Sequence, residues 1–307
     1  MTKAKGIAFS EFGAADVLRP LDLDVPDPGP GQVRIEVRAA GVNPLDTKIR
    51  SGAMKQAFPV ELPHVPGTEA SGVVESVGAD VTGLAVGDEV FGPTASGAYA
   101  GLALAEAVKL AVKPPSLGFP EAAALPVAAE TAFRGLDELG ARAGETLLVH
   151  GAGGGVGTVA VQFAVARGLR VIGTASPANH DRLRALGANP VTYGAGLVDR
   201  VRAAAPEGVD LIFDTTGLAE SLAASIELMD GTERVLSIGD AVTAGQYGVP
   251  FSASGGHGQD AFAEALALHA EGTLDVAIHQ TYPLAEAADA QRASEAGHLA
   301  GKIILLP

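Results

Sequence analysis

ETLLVHGAGGGVGTVAVQFAVARGLRVIGTAS, residues 145–176, decides how the rest of the chain is read. It opens on a strand-like run, Thr146 to His150. Gly151, Gly153, Gly154, Gly155 and Gly157 then fill five of the next seven positions. A helical apolar pattern follows (Val156, Val159, Ala160, Phe163, Ala164, Ala166), and a second strand-like run covers residues 170–174. Strand, glycine turn, helix and strand in about thirty residues make a βαβ unit. Such a turn offers main-chain N–H groups and a helix N-terminus to a diphosphate. Glycine is needed because a Cβ would hold the ligand off and because positive φ is open to it. The spacing is G-x-x-G-x-x-G (Gly151, Gly154, Gly157) instead of the commoner G-x-G-x-x-G. A tight strand–helix turn without a ligand is the alternative reading.

Outward from this stretch the alternation continues. Strands are expected at 190–193, 209–213 and 233–238, and helices at 156–167, 179–186, 197–205, 218–229 and 260–270. This pattern predicts a parallel sheet with helices on both faces. The run Val209 to Phe213 is apolar enough for a central parallel strand. Before residue 112 the pattern is different. Gly6 to Phe9, the alternating Gln32 to Ala39, the run through Val73-Val74 and Glu89 to Gly92 read as short strands divided by turns, hence a β-rich domain. Lys113 to Pro120 is the boundary, with helical stretches at 121–124 and 128–139 beyond it. Strand-like runs at 276–278 and 302–306 are expected to return to the β-rich domain. The expected division is residues 1–119 with 275–307, and 120–274.

At 307 residues, 47% hydrophobic, the chain is long enough for two globular domains. No stretch matches a membrane span, and the first residues lack a signal-peptide core, so a cytoplasmic protein is expected. Cysteine is absent, which removes disulfides, thiolate nucleophiles and cysteine-based zinc sites. The formal charge of −15 disfavours nucleic acid and anionic membranes as partners.

The second strand of the βαβ unit bears on which dinucleotide would fit. NAD sites place an acid at its end to bond the ribose 2′-OH. Here the end is Gly173-Thr174-Ala175-Ser176, with no acid. A carboxylate would repel a 2′-phosphate and a hydroxyl can donate to it, so NADP is favoured. Ser176 is the first candidate, with Thr174 at the strand end and Asn179, Arg182 and Tyr193 as helpers. The alternative is that Ser176 caps the next helix.

The sequence resembles the zinc-free quinone oxidoreductase branch of the medium-chain dehydrogenase/reductase superfamily. The matching segments are GVNPLDTKIRSG (41–52), HVPGTEASGVVESVG (64–78), GLAVGDEVFG (83–92), AALPVAAETAFRGL (123–136), HGAGGGVGTVAVQFA (150–164), GTASPANHDRLRALGA (173–188), FDTTG (213–217) and GHLAGKIILL (297–306). The resemblance implies a GroES-like domain from both chain ends, a Rossmann domain between them, an active site in the cleft, NADPH as cofactor and a homodimer. Thr68 stands where zinc-dependent cousins carry a ligand histidine, and with no cysteine no metal is expected. His64 beside its proline turn is read as structural.

Without a Lewis acid, alcohol–ketone exchange is disfavoured. Quinones and α,β-unsaturated carbonyls accept hydride directly, because charge spreads into the conjugated oxygen; the enzyme must position the partners and bind the oxyanion. By resemblance Asn43 lies beside nicotinamide and substrate, with Asp46 near it. Lys48 stands where the family often has tyrosine; it is either an oxyanion partner or a solvated cation. The resemblance also places Thr131, Ile238, Gly239, Phe251 and Ser252 around the nicotinamide end of the cofactor, with Val156 in the glycine turn. Tyr99 and Tyr247 are further donors in loops, and Arg134 is read as structural. The function expected is an NADPH-dependent quinone reductase. An enone or enoyl-thioester reductase and a non-catalytic NADPH-binding protein are the alternatives.

Overall fold

In the computed structural model, which describes residues 1–253 and 255–307, both ends of the chain belong to one unit. Residues 1–127 and 277–307 form it, and residues 128–276 form a second.

The first unit begins with β1 (Thr2–Ala8), paired antiparallel with β2 (Arg19–Val25). Strand β3 (Gln32–Val42) buries Val33, Ile35 and Val37, as their alternation requires. Asn43 and Pro44 then start helix α1 (Pro44–Ser51), and Gly52 ends it with φ 84°. An asparagine before proline at N1, and a left-handed glycine after the last turn, are the residues a helix needs at its two ends. There follow β4 (Glu69–Val77), β5 (Glu89–Pro93), β6 (Leu102–Glu106), β7 (Ala111–Val112) and α2 (Phe119–Ala123). Helix α3 (Pro126–Glu138) starts in this unit and continues into the second.

The second unit alternates β8 (Thr146–His150), α4 (Gly155–Ala166), β9 (Arg170–Thr174), α5 (His180–Ala185), β10 (Ala188–Val191), α6 (Leu197–Ala204), β11 (Leu211–Asp214), α7 (Ala219–Met229) and β12 (Val235–Ser237), then α8 (Ala241–Gln246) and α9 (Gly258–Ala270). The strands are parallel in the order β10-β9-β8-β11-β12. The order reverses beside β8, so the glycine turn lies at the switch point, where parallel sheets open a crevice at their carboxyl ends.

The chain then returns to the first unit with β13 (Ile278–Pro283), α10 (Ala287–Ala296) and β14 (Lys302–Leu306). Its main sheet runs β13-β14-β3-β4-β5-β7, with β6 also on β3. Ile303 and Leu305 join Val33, Ile35, Val37 and Phe9 in the core.

Several expectations change. The first unit runs on to Val127, past the Lys113–Pro120 turn. The segment after Phe9, read as loop, contains β2, most of which is exposed and therefore carries little apolar signal. The polar segment 41–52 contains α1. Its helix signals are the terminal Asn, Pro and Gly, because Asp46, Thr47 and Arg50 are buried without being apolar. Helices α8 and α10 were not expected, and β13 starts at Ile278, where the strand-like run 276–278 was expected to end.

Candidate active site

The carboxyl edge of the parallel sheet gathers most of the residues proposed for a nucleotide. After β8, Gly151 takes φ 73° and a Cβ there would meet Thr215 Oγ1 at 2.6 Å. A Cβ on Gly157 would lie 2.2 Å from the Gly151 carbonyl oxygen, so helix and turn approach too closely for any side chain. Gly153 faces the Asn179 amide, whose Nδ2 would be 2.8 Å from a Cβ. Gly154 is different: a Cβ there meets only the Gly151 oxygen at 3.4 Å, and its φ of −80° suits any residue. Gly154 caps α4, and the first amides of that helix, from Gly155 and Val156 onward, have no carbonyl within the helix to bond. Close packing under the turn, open space at its tip and amides at a helix start fit a diphosphate.

The turn is held from beneath. Gly151 N–H donates to Thr174 Oγ1 at 3.1 Å. The Ser225 hydroxyl donates to the Ser221 carbonyl, so in its 3.0 Å contact with His150 the imidazole Nε2–H must be the donor. His150 Nδ1 then accepts from Thr174 at 3.4 Å. Burial pushes the His150 imidazole down to about 4, against the opposing charge of Asp214. Neutral imidazole is what this chain of bonds requires. Its stabilising contribution is fully present above about 6.5 and is lost as pH falls through about 4. Thr174, proposed for the cofactor, is buried and occupied in this support.

Beyond β9, Asn179 Nδ2 donates to Ser176 Oγ at 3.3 Å, which places both beside Gly153. Arg182 pairs with Asp275 at 2.7 Å, and Tyr193 is exposed in the loop after β10. Ile238 donates its N–H to the Asp214 carbonyl, and a Cβ on Gly239 would fall 2.2 Å from Gly217 N. Phe251 forms a parallel bridge with Ser237, extending the sheet beyond β12. Ser252 is buried, accepts from Arg134 and donates to Glu138 at 2.9 Å. Thr131 is buried on α3, one turn before Gly135, whose Cα rests against the Phe213 ring.

The first unit holds a second constellation. Asn43 Nδ2 donates to Glu69 Oε1 at 2.8 Å, and its Oδ1 accepts from Lys302 Nζ at 2.5 Å. Lys302 also donates to Glu69 Oε1 at 2.5 Å, and Val127 N–H donates to the other Glu69 oxygen at 2.7 Å. All of these side chains are buried. Asp46 Oδ2 accepts from Asn43 N–H at 2.9 Å and from the Tyr99 hydroxyl at 3.1 Å. Burial raises the Asp46 carboxyl to about 7; the Asn43 N–H works against that, and the Glu69 charge adds to it. Tyr99, expected as a donor in a loop, lies between β5 and β6 and is fully buried, and its hydroxyl is pushed well above its usual value by burial and by Asp46.

Asp46 lines a cavity of about 300 Å³ with Phe58, His64, Gly67, Thr68 and Thr94. His64 packs edge-on against the Phe9 ring, and burial lowers its pKa. Lys48 is outside this wall: two residues on, it points about 200° around the helix from Asp46. The structure thus brings Asn43 and Asp46 together, while the helix turn carries Lys48 to a different face. Glu69 and Lys302 escaped the sequence reading. Their signal was an acid and a lysine each opening a run that folds as a buried strand, and buried charges demand a partner.

The Asp46 shift has a thermodynamic consequence. Its unfolded-state value is near 3.8, so between there and about 7 the folded chain binds more protons, and this group's contribution to stability falls as pH rises. Asp46→Asn, whose amide oxygen can still accept both bonds, is expected to exceed the parent in urea-unfolding free energy at pH 8 by up to about 4 kcal/mol, shrinking to near zero at pH 4. A constant difference across the series would contradict the burial of the charge.

Comparison with known proteins bears on the family and the fold. Residues 29–115 match the alcohol dehydrogenase GroES-like domain and residues 186–305 a zinc-binding dehydrogenase family. Quinone oxidoreductase of Lama guanicoe is 36% identical over 98% of this chain and 97% of its own. This chain belongs to the quinone oxidoreductase branch of the medium-chain dehydrogenase/reductase superfamily. The NADPH-dependent alkenal/one oxidoreductase of Arabidopsis thaliana is 31% identical over 99% of this chain and 79% of its own. A mycobacterial structure complexed with NADPH superposes with a TM-score of 0.84, at 31% identity, over 99% of this chain and 100% of that one. The chain also matches 13% of the length of a Streptomyces orinoci polyketide synthase system protein, at 39% identity. The second unit is thus the Rossmann-like sheet and the first the GroES-like domain of this superfamily.

The zinc implied by one family description does not fit. Thr68 is a poor ligand, cysteine is absent, and the Glu69 carboxylate already holds the Lys302 ammonium. Among the described residues, no three His, Asp or Glu side chains are grouped to hold a metal. No helix among them is long and apolar enough to cross a membrane.

Proposed function

We propose that this chain is a zinc-independent, NADPH-dependent oxidoreductase that reduces quinones. Asp46 carries the reading: a buried carboxyl, raised to about 7, on the wall of a cavity of about 300 Å³. Reduction of a conjugated acceptor needs a hydride and a proton, and an acid with a pKa near the working pH serves the second best. NADPH, when bound, supplies the hydride. Asp46 protonates the acceptor oxygen. Asn43, its amide fixed by Glu69 and Lys302, holds the start of the helix that carries Asp46. Lys48 is retained as a cation on that helix, its contribution to be read from Lys48→Met.

On the cofactor side, Gly151 through Gly157 hold the diphosphate, with Ser176 and Asn179 at the 2′-phosphate and Arg182 and Tyr193 at its rim. Thr131, Ile238, Gly239, Phe251 and Ser252 border the nicotinamide end. The same reading extends to a cytoplasmic homodimer.

A second reading, reduction of enones or enoyl thioesters, is favoured by the likeness to the alkenal/one oxidoreductase. Stopped-flow NADPH oxidation with 9,10-phenanthrenequinone, an α,β-unsaturated ketone and a crotonyl thioester separates the two. Failure with every acceptor would end both.

Ser176→Asp tests the cofactor choice. A carboxylate beside Gly153 would repel a 2′-phosphate and accept from a ribose hydroxyl. The ratio of NADPH to NADH dissociation constants is expected to shift toward NADH by about a hundredfold, or about 2.7 kcal/mol. An unchanged ratio would remove Ser176 from the phosphate site.

A further inference from the structure

Helices α1 and α10 pack together in the first unit, and polar side chains occupy their contact. Asp46 and Arg50 are one turn apart on α1; Gln291 and Glu295 are one turn apart on α10. Arg50 donates to Glu295, and Tyr99 links the next level by donating to Asp46 while standing near the Gln291 amide. Asp46, Arg50, Tyr99 and Gln291 are each at most 1% exposed, whereas the Glu295 side chain is 39% exposed. A polar column therefore runs from the cavity wall to the surface.

Much of its hydrogen-bonding capacity has no partner within the protein. Asp46 Oδ1, Arg50 Nε and Nη1, both polar atoms of the Gln291 amide and Ser294 Oγ are buried with no protein partner at full hydrogen-bond distance, the Gln291 amide making only a longer contact with the Tyr99 hydroxyl. Among the described residues these are six of eight such side-chain atoms, so the deficit is concentrated here. Left so, each would keep the full desolvation penalty of a buried polar group. An anion would suit Arg50 but meet Asp46 and Glu295; a cation would meet Arg50. Water both donates and accepts, so it matches every one of these atoms in chemistry.

We propose that the seam between α1 and α10 holds a short file of ordered water that returns protons from solvent at Glu295 to Asp46. This rests on the reading of Asp46 as proton donor. The balance is simple. The acceptor takes a hydride, its oxygen takes the Asp46 proton, and the carboxylate left behind is reprotonated from bulk water through the seam. Per turnover one quinone, one NADPH and one proton become hydroquinone and NADP⁺. The charged or titratable groups around Asp46 are Arg50 on α1, Glu69 on β4, Lys302 on β14, Tyr99 in the β5–β6 loop, Glu295 on α10 and His64 across the cavity. Of these, Glu295 joins the column to solvent.

A high-resolution crystal structure of the full chain is the direct test. Ordered water bonded to Asp46 Oδ1, Arg50 and Gln291 is expected. A dry seam, with Arg50 turned onto Asp46 Oδ1, would overturn the proposal whatever the enzyme reduces. The kinetic test uses Gln291→Leu, and Glu295→Gln at the exposed end in case the first fails to fold. Each is expected to lower kcat for quinone about tenfold with KM and NADPH affinity unchanged, and to raise the solvent deuterium isotope effect on kcat. If Asp46→Asn is slow but these variants match the parent in rate and isotope effect, the seam falls and the donor stands. If Asp46→Asn is as fast as the parent, the donor reading falls and the proposal with it.

Discussion

Lys302→Met is expected to lower the urea-unfolding free energy by about 3–5 kcal/mol, the cost of leaving a buried carboxylate without its cation. Glu69 is fully buried, and its remaining partners would be Asn43 Nδ2 and Val127 N–H, two neutral donors. The intact pair need not be worth that much: taking both charges from water offsets most of their attraction. The double change Lys302→Met with Glu69→Gln separates the two quantities. It is expected to regain part of the loss, because a neutral amide needs no cation; its one oxygen accepts from either Asn43 or Val127, and its NH₂ then faces the other donor. The difference between observed and additive effects measures the pair. An unchanged urea midpoint in the single variant would show that solvent reaches Glu69. Function should suffer too. Lys302 fixes the Asn43 carbonyl and Glu69 fixes its NH₂, so without the ammonium the Asn43 amide is held at one end only. Lower kcat in folded Lys302→Met protein would follow.

That pair also marks where sequence reading stops. Glu69 and Lys302 are 233 residues apart, and each looks like an isolated charge opening a strand. Only the antiparallel seating of β14 on β3, which itself pairs with β4, brings them together. The helix that carries Asp46 reads as a polar turn, PLDTKIRS, because the residues it buries are Asp, Thr and Arg as well as Ile. Burial of a polar face against α10 has no apolar periodicity to announce it. Lys48, for which oxyanion partner and solvated cation are both open from the sequence, lies about 200° around the helix from Asp46. The glycine turn was legible because its constraints are local. Gly151 needs positive φ and Gly157 has a carbonyl at its back, whatever the rest of the chain does. The alternation of buried strands and helices from residue 146 onward is likewise written in short-range pattern, whereas the strand order is not, because the hand of a crossover does not say on which side of β8 the next strand is laid. His150 lay in plain view at the end of β8, yet its role depends on Thr174 and Ser225 from other elements.

The glycine turn yields the other large effect, through the contrast between two of its positions. Gly154→Val is expected to abolish NADPH binding, weakening it at least a hundredfold, while thermal unfolding changes by only a few degrees. A Cβ at this position meets nothing closer than 3.4 Å, and the extended backbone, with φ −80° and ψ 177°, suits a β-branched residue. Valine is a poorer N-cap than glycine, which costs about 0.5–1 kcal/mol of stability. Its methyls would fill the open space before the α4 amides, where a diphosphate must come to hydrogen-bond distance. Gly157→Ala is the control with the opposite profile. Its single added carbon would lie 2.2 Å from a main-chain oxygen that cannot swing aside, so turn and helix must separate and stability falls with binding. Isothermal titration with NADPH beside thermal unfolding reads both quantities. Full affinity in folded Gly154→Val protein would mean that the nucleotide does not sit on this turn. Loss of both binding and stability in Gly154→Val would mean that the tip of the turn is as crowded as its base.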